Sequence, residues 1–283
     1  MVSPTLCLMV FIAVIIGVLG FESTTWVQSS NGIALPGKLR VANEGLTADS
    51  EGYIYLNSKG TLFKCQLETE AQKKKKKDGK LEIVSENTNL IPAELKAQGY
   101  NHVGDIDFFD GILYMGIEYS TTSKGVLAAV NSTSLEVIRY RITEEQGGMP
   151  WVAVQDNKIY STHWSDTSKI NVWSIEDFSF IGSIEAKGVQ LPAEIQGGAF
   201  WEKDPGFLYL AANGPVVFKF DITTGETVEF VLNDAYKHHA YEMEGITFLD
   251  LEDEGLGTMH IYGNFELLRE KSIHNFSPIS LPS

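Results

Sequence analysis

Basic residues are scarce in this chain: 22 lysines and arginines face 37 aspartates and glutamates, leaving a net charge of −15 over 283 residues. With no basic surface to neutralise phosphates, nucleic acid is not an expected partner. Cysteine is almost missing, and only Cys7 and Cys65 are present. If Cys7 leaves with an N-terminal leader, Cys65 stands alone and no intramolecular disulfide can form. Its neighbours Phe63 and Leu67 alternate with Lys64 and Gln66, which makes Cys65 a small buried hydrophobe on a strand. No sustained apolar period of 3.6 residues follows the N-terminus, apart from an ambiguous stretch near Ile91–Gln98. The Gly-x-Ser-x-Gly elbow, the P-loop and the dinucleotide fingerprint are all absent, so covalent serine or cysteine catalysis and nucleotide cofactors find no support. The six histidines lack the spacing of a zinc motif.

What is present suffices for a real core: 43% hydrophobic residues, 11% aromatics and 26 glycines. That composition is not that of a disordered acidic tail. Residues 1–20 contain no Asp, Glu, Lys or Arg, and Leu6 to Phe21 is an unbroken apolar run. The run is short for a membrane span. Small residues at Val18-Leu-Gly20 suit a signal-peptidase site. The expected division is therefore a signal peptide over 1–20, with an uncleaved anchor as the alternative, and one domain over 21–283. A secreted or lumenal location follows, with membrane contact only if the leader is kept. The sequons at Asn131 and Asn275 are compatible with that route as glycosylation sites.

Internal repeats set the architecture. Five segments share one plan, a small-residue opening, a polar turn and a strand ending in tyrosine: EGLTADSEGYIY, VGDIDFFDGILY, MPWVAVQDNKIY, GAFWEKDPGFLY and EGITFLDLEDEGLGTMHIY. Their tyrosines, Tyr55, Tyr114, Tyr160, Tyr209 and Tyr262, are spaced by 59, 46, 49 and 53 residues. The Lys73–Lys77 insertion and extra residues near Leu251–Gly257 account for the longer intervals. Further strand-like runs follow each tyrosine, such as VVFKFDI and ETVEFVL after Tyr209. Four short strands per unit of about 40–50 residues is the pattern of a β-propeller blade. The predicted fold is all-β, a five-bladed propeller with six blades as the alternative. The segment WVQSSNGIAL would supply an outer strand to the last blade, so N- and C-terminal strands close the ring and remove open edges.

Blade topology converts repeat position into spatial position. Residues opening each repeat, and those just after each tyrosine, converge on one mouth of the central channel. The first group holds Glu44, His102, Asp105, Gln196, Glu242 and Glu244, with His238 and His239 upstream; the second holds Asn57, Glu118, His163, Asn213 and Asn264. Oxygen ligands from several blades suit Ca2+, which takes 6–8 of them. Glu44, Asp105, Asn213, Glu244 and Asn264 are the candidate metal ligands. His102 and His163 are the candidate general bases, since imidazole titrates near neutrality. Glu118, Trp164, Glu242 and His239 are candidate ligand contacts, with Trp164 able to stack on an apolar or sugar ring. Trp173, between Val172 and Ile175, reads as blade packing. Lys73–Lys77 and the acidic turn Asp250–Glu254 read as solvated loops.

The stretches ANEGLTADSEGYIYL and YEMEGITFLD resemble the SdiA-regulated and esterase-like-phytase group of propellers, whose blades open with a similar Glu-Gly-hydrophobic step. More loosely, the chain resembles the calcium-dependent gluconolactonase and paraoxonase propellers. Carried over by position, the first resemblance implicates Glu44 and Glu244; the other repeats place Val103, Met149 and Gly198 where that glutamate would fall. The expected function is a Ca2+-supported hydrolase acting on an ester, lactone or phosphoester at the channel mouth. The alternatives are a non-catalytic ligand- or protein-binding propeller, and an isomerase or cyclase using the same pocket.

Overall fold

The computed structural model describes residues 25–28, 33–35, 37–67, 81–119, 123–214, 216–231, 241–249, 258–265 and 270–279. The expected leader, the Lys73–Lys77 run, His238, His239 and the acidic turn Asp250–Glu254 lie outside the described residues.

The strands in chain order are β1 (Thr25–Gln28), β2 (Ile33–Ala34), β3 (Gly45–Ala48), β4 (Tyr53–Asn57), β5 (Leu62–Leu67) and β6 (Leu81–Asn87). Then come β7 (His102–Phe109), β8 (Ile112–Glu118), β9 (Lys124–Asn131), β10 (Val137–Gly147), β11 (Ala153–Gln155), β12 (Lys158–Ser161), β13 (Lys169–Ser174) and β14 (Phe180–Glu185). The last are β15 (Lys187–Gly188), β16 (Ile195–Phe200), β17 (Phe207–Ala212), β18 (Val216–Asp221), β19 (Glu226–Val231), β20 (Tyr241–Leu249), β21 (Thr258–Phe265) and β22 (Glu270–Ile279). A short helix, α1 (Ala93–Ala97), occupies the stretch whose period was ambiguous. No helix among the described residues is long and apolar enough to cross a membrane.

These strands form β3–β6, β7–β10, β11–β14, β16–β19 and β20–β22, each a meander in which sequence neighbours pair antiparallel. Their first strands meet in cyclic order: β3 touches β7, β7 touches β11, β11 touches β16, β16 touches β20, and β20 returns to β3. This is an all-β propeller. No sixth sheet forms among the described residues. Side chains are described throughout much of the first four sheets; in the last, they are described only at Met243–Phe248.

The chain's N-terminal strands pair with its last one, Thr25 opposite Ile279 and Ile33 opposite Ile273. This covers the outer edge of the final sheet. The β16–β19 sheet has its edge covered differently, by β15, which runs parallel to β19. Covered edges remove templates for aggregation.

Local chemistry explains the turns. The hairpins β7–β8 and β11–β12 close through Asp110-Gly111 and Asp156-Asn157, all four at positive φ. That is the two-residue turn whose twist matches the strands, and Asp, Asn and Gly tolerate it. The repeat tyrosines serve the same end in different blades. Tyr55 and Tyr209 are buried, and their hydroxyls donate to Asp49 and Asp204 in the preceding turn. Tyr55 also stacks on Phe108 of the next sheet, with ring centroids 6.1 Å apart. Trp173 is fully buried between sheets with Tyr114 and Phe178. Cys65 is a buried free thiol whose pKa burial pushes up to about 12, so it is inert.

Candidate functional site

Strand direction gathers the repeat openings and the ends of the second strands at one end of the ring. Register makes the pairing explicit: Gly45 lies opposite Asn57, His102 opposite Glu118, Ile195 opposite Ala212, and Glu242 opposite Asn264. Among the described residues, one part of this mouth holds a cluster of interacting acids and imidazoles.

Glu44 is buried, and its Oε2 lies 2.8 Å from Nε2 of His102, whose side chain is 30% exposed. Asn43 Nδ2 donates to the other oxygen of Glu44 at 2.7 Å. The backbone holds this segment in place, because the amides of Asn43 and Glu44 both donate to the Asn57 carbonyl. A carboxylate at Nε2 puts the proton there and leaves Nδ1 as the basic nitrogen of neutral His102.

Glu118 adjoins this pair across the β7–β8 ladder. It is buried, and its Oε2 accepts the Met149 amide at 2.8 Å. Burial pushes its carboxyl above the usual range; the Met149 N–H and the nearby imidazoles of His102 and His163 oppose that rise. Gly148, at φ +74°, passes so close that a Cβ there would stand 2.8 Å from Glu118 Oε2. The positive φ favours glycine at this position.

His163 and Trp164 follow β12. The His163 Nδ1 accepts the amides of Ser165 and Asp166 at 3.1 and 3.2 Å. In the neutral ring the remaining nitrogen, Nε2, therefore carries the proton, and it faces Gly147. His163 is thus arranged as a donor rather than a base. Trp164 is partly exposed and its carbonyl accepts the Glu194 amide at 2.8 Å. Beneath the loop, Gln146 Nε2 donates to the Gly148 and Thr162 carbonyls, while its Oε1 accepts Asn171 Nδ2. Such a buried, satisfied network rigidifies what it underlies.

Asp105 is completely buried on the ring axis, where its carboxylate accepts main-chain N–H groups. Asn213 is exposed at the end of β17. Glu244 is buried on β20. Glu242 and Asn264 are paired in the last sheet, and their side chains lie outside the described residues, as does all of His239. Asn131 closes the β9–β10 turn, its Oδ1 accepting the amides of Thr133 and Ser134; Asn275 lies within β22, opposite His260. Among the described residues no three His, Cys, Asp or Glu side chains come together as metal ligands. Of the five candidate Ca2+ ligands, Asp105 is taken up by amides and Glu44 by His102 and Asn43.

Sequence reasoning missed Asp107, Gln146 and Tyr119. Asp107 shares the channel face of β7 with Asp105, and accepts the Val154 amide at 2.7 Å and the Thr47 hydroxyl at 3.3 Å. Burial pushes its carboxyl up to about 7 against those donors. Its period-two spacing from Asp105 was a usable signal. Tyr119, 49% exposed, stands edge-on to Tyr100 beside Glu118 at the rim. An exposed aromatic directly after a candidate acid was visible in the sequence.

Comparison with solved structures agrees with the fold. The chain is similar to the crystal structure of Myxococcus xanthus glutaminyl cyclase, with a TM-score of 0.61, 14% identity, and coverage of 91% of this chain and 98% of that one. It is also similar to a luciferin-regenerating enzyme, with a TM-score of 0.56, 11% identity, and coverage of 90% and 95%. At these identities the likeness defines the class, a β-propeller, and does not extend to the SdiA-regulated or phytase-like group suggested by the Glu-Gly motifs. No family model and no curated protein sequence matches the chain.

Proposed function

We propose that the chain is a five-bladed propeller enzyme performing acid–base chemistry on a small carbonyl compound held over Glu44, His102, Glu118 and His163. The five sheets and their cyclic contacts support the blade count. The observation that carries the chemistry is the 2.8 Å Glu44–His102 pair set beside a buried Glu118. In this reading His102 Nδ1 removes a proton from the nucleophile, with Glu44 orienting the ring and stabilising the imidazolium that forms. Glu118, whose burial favours its neutral form, gives a proton to the leaving group. The His163 Nε2–H supports developing negative charge on the carbonyl oxygen. Trp164 and Tyr119 supply partly exposed aromatic surface for the ligand body.

Whether the product is hydrolysed or cyclised depends on whether the nucleophile is water or a group within the substrate. Both outcomes use the same residues, and one similar structure is that of a cyclase. Passage into the secretory pathway remains part of the proposal, supported by the apolar leader and the Asn131 sequon.

The test is a panel of esters, lactones and peptides with N-terminal glutamine, run with wild type, His102→Gln and Glu118→Gln. Turnover of one class, lost in both variants while they melt like wild type, supports the reading. Saturable binding of a panel member without turnover would favour the non-catalytic alternative, for which the rim aromatics suffice.

A further inference from the structure

At the centre of the ring, one carboxylate collects main-chain N–H groups from four separate sheets. Asp105 Oδ1 accepts the amides of Leu46 and Ile106, each at 2.9 Å. Its Oδ2 accepts those of Gly198 at 3.3 Å and Ile246 at 3.5 Å. Its own amide donates to the Pro150 carbonyl at 2.9 Å, which brings in the segment leading to β11. Leu46, Ile106 and Gly198 are equivalent: each precedes the residue paired with its repeat tyrosine, Thr47, Asp107 and Ala199 respectively. Three of the repeats thus aim the same peptide N–H at the axis from their inner strands.

The space around the carboxylate is cleared of side chains. A Cβ on Gly45 would lie 2.8 Å from Asp105 Oδ1, on Gly245 2.9 Å from Oδ1, and on Gly197 2.6 Å from Oδ2. The β7 ladder also breaks register between Val103 and Ile106, and a bulge of this kind re-aims a side chain. Here it falls at Gly104-Asp105. Converging peptide N–H groups in a concavity without side chains are the ordinary means by which proteins bind anions.

We infer that the ring axis is an anion-binding site built from main-chain N–H groups of four inner strands, with the Asp105 carboxylate as its built-in ligand. Its ligand class is the small carboxylate, and when the side chain is removed the site takes one from solution. The inference is independent of any chemistry at the mouth, since it concerns the layer beneath it. It also explains why a single aspartate serves several repeats: one carboxylate satisfies four buried donors that would each be costly to leave unpaired, and the N–H groups of Leu46, Ile106 and Ile246 oppose the rise that burial imposes on its carboxyl.

The experiment compares wild type, Asp105→Asn and Asp105→Ala by thermal melting in sodium formate and in sodium chloride of equal ionic strength. Asp105→Asn keeps the shape but turns an NH2 group toward N–H donors, and should melt about 10 °C or more below wild type. Asp105→Ala should melt low in chloride and recover saturably in formate, while wild type shows no formate-specific shift. If neither variant folds in chloride, formate-dependent recovery of soluble Asp105→Ala supports the site, and its absence overturns it. A double-mutant comparison adds a second arm: Gly197→Ala should cost less in the Asp105→Ala background than in wild type, because the oxygen it would strike is gone. An Asp105→Asn variant within about 2 °C of wild type overturns the inference. So does a formate effect no larger than that of chloride.

Discussion

His102 and Asp105 stand three residues apart on β7 and live in opposite surroundings. His102 has one side-chain partner, Glu44, and part of its ring faces the mouth. Asp105 has no exposure and its carboxylate is met by peptide N–H groups. A side chain saturated by backbone donors is committed to the fold. His102, held by one buried partner among the described residues and 30% exposed, is the side chain that the proposed chemistry uses. The strand therefore passes from a partly exposed side chain to a fully buried one across the bulge.

The comparison is broken most severely by steric change in the architectural layer. A Cβ on Gly104 would overlap the Pro150 carbonyl, which is backbone and cannot swing away. Gly104→Ala should therefore destabilise by about 4 kcal/mol or more, among the largest single-residue effects. Chemical denaturation would check it. Gly182→Ala is the control, since nothing lies within 4 Å of its Cβ position and its stability should stay near wild type.

At the mouth, the expected loss is in rate and not in stability. His102→Gln should lower kcat by about 10²–10⁴-fold on any substrate the panel identifies, the usual weight of a general base. Its melting temperature should remain near that of wild type, because the His102 side chain is partly exposed and buries no apolar core. If instead the variant unfolds and keeps its specific activity, the division between the two layers is wrong.

Much of this division was legible in the sequence, for a physical reason. The repeat tyrosines recur because each must fill the same gap between sheets, so their spacing marks the inner strands: Tyr55 lies opposite Thr47, Tyr114 opposite Asp107, Tyr160 opposite Ala153, and Tyr209 opposite Ala199. The mouth pairing of His102 with Glu118 follows from the same count. What the count could not supply is depth along the axis. Asp105 was placed with the mouth residues because the bulge that carries it to the axis leaves no compositional trace beyond the neighbouring Gly104. The Gln146–Asn171 network is likewise a tertiary fact, formed by residues from different strands with no shared period.

A smaller effect belongs to Asp107 and is read through pH. Burial raises the Asp107 carboxyl to about 7 in the fold, from an ordinary value of 3.8. The unfolded chain gives up this proton first, so between those values the native state binds more protons and stability falls as pH rises. Below the lower value the contribution is constant, and above about 7 the loss is complete. Asp107→Asn should flatten this decline, worth about 2–4 kcal/mol across the window. Melting temperatures between pH 4 and 8 would show the slope in wild type and its reduction in the variant.

Calcium gives the smallest expected effect. An ion held at 100 times its dissociation constant would stabilise the fold by about 2.7 kcal/mol, a shift of several degrees. Two of the candidate oxygen donors are already engaged: Asp105 is held by amides, and Glu44 by His102 and Asn43. Binding would have to displace these partners, at a cost that offsets much of the ion's own stabilisation. Adding millimolar-range calcium or a chelator should therefore leave the melting temperature unchanged within about 1 °C. A calcium-dependent rise that disappears in Glu44→Gln would make the mouth a metal centre, and His102 would then be judged as a neighbour of the ion. A rise that disappears only in Asp105→Asn would move the ion to the axis and erase the contrast between the two layers.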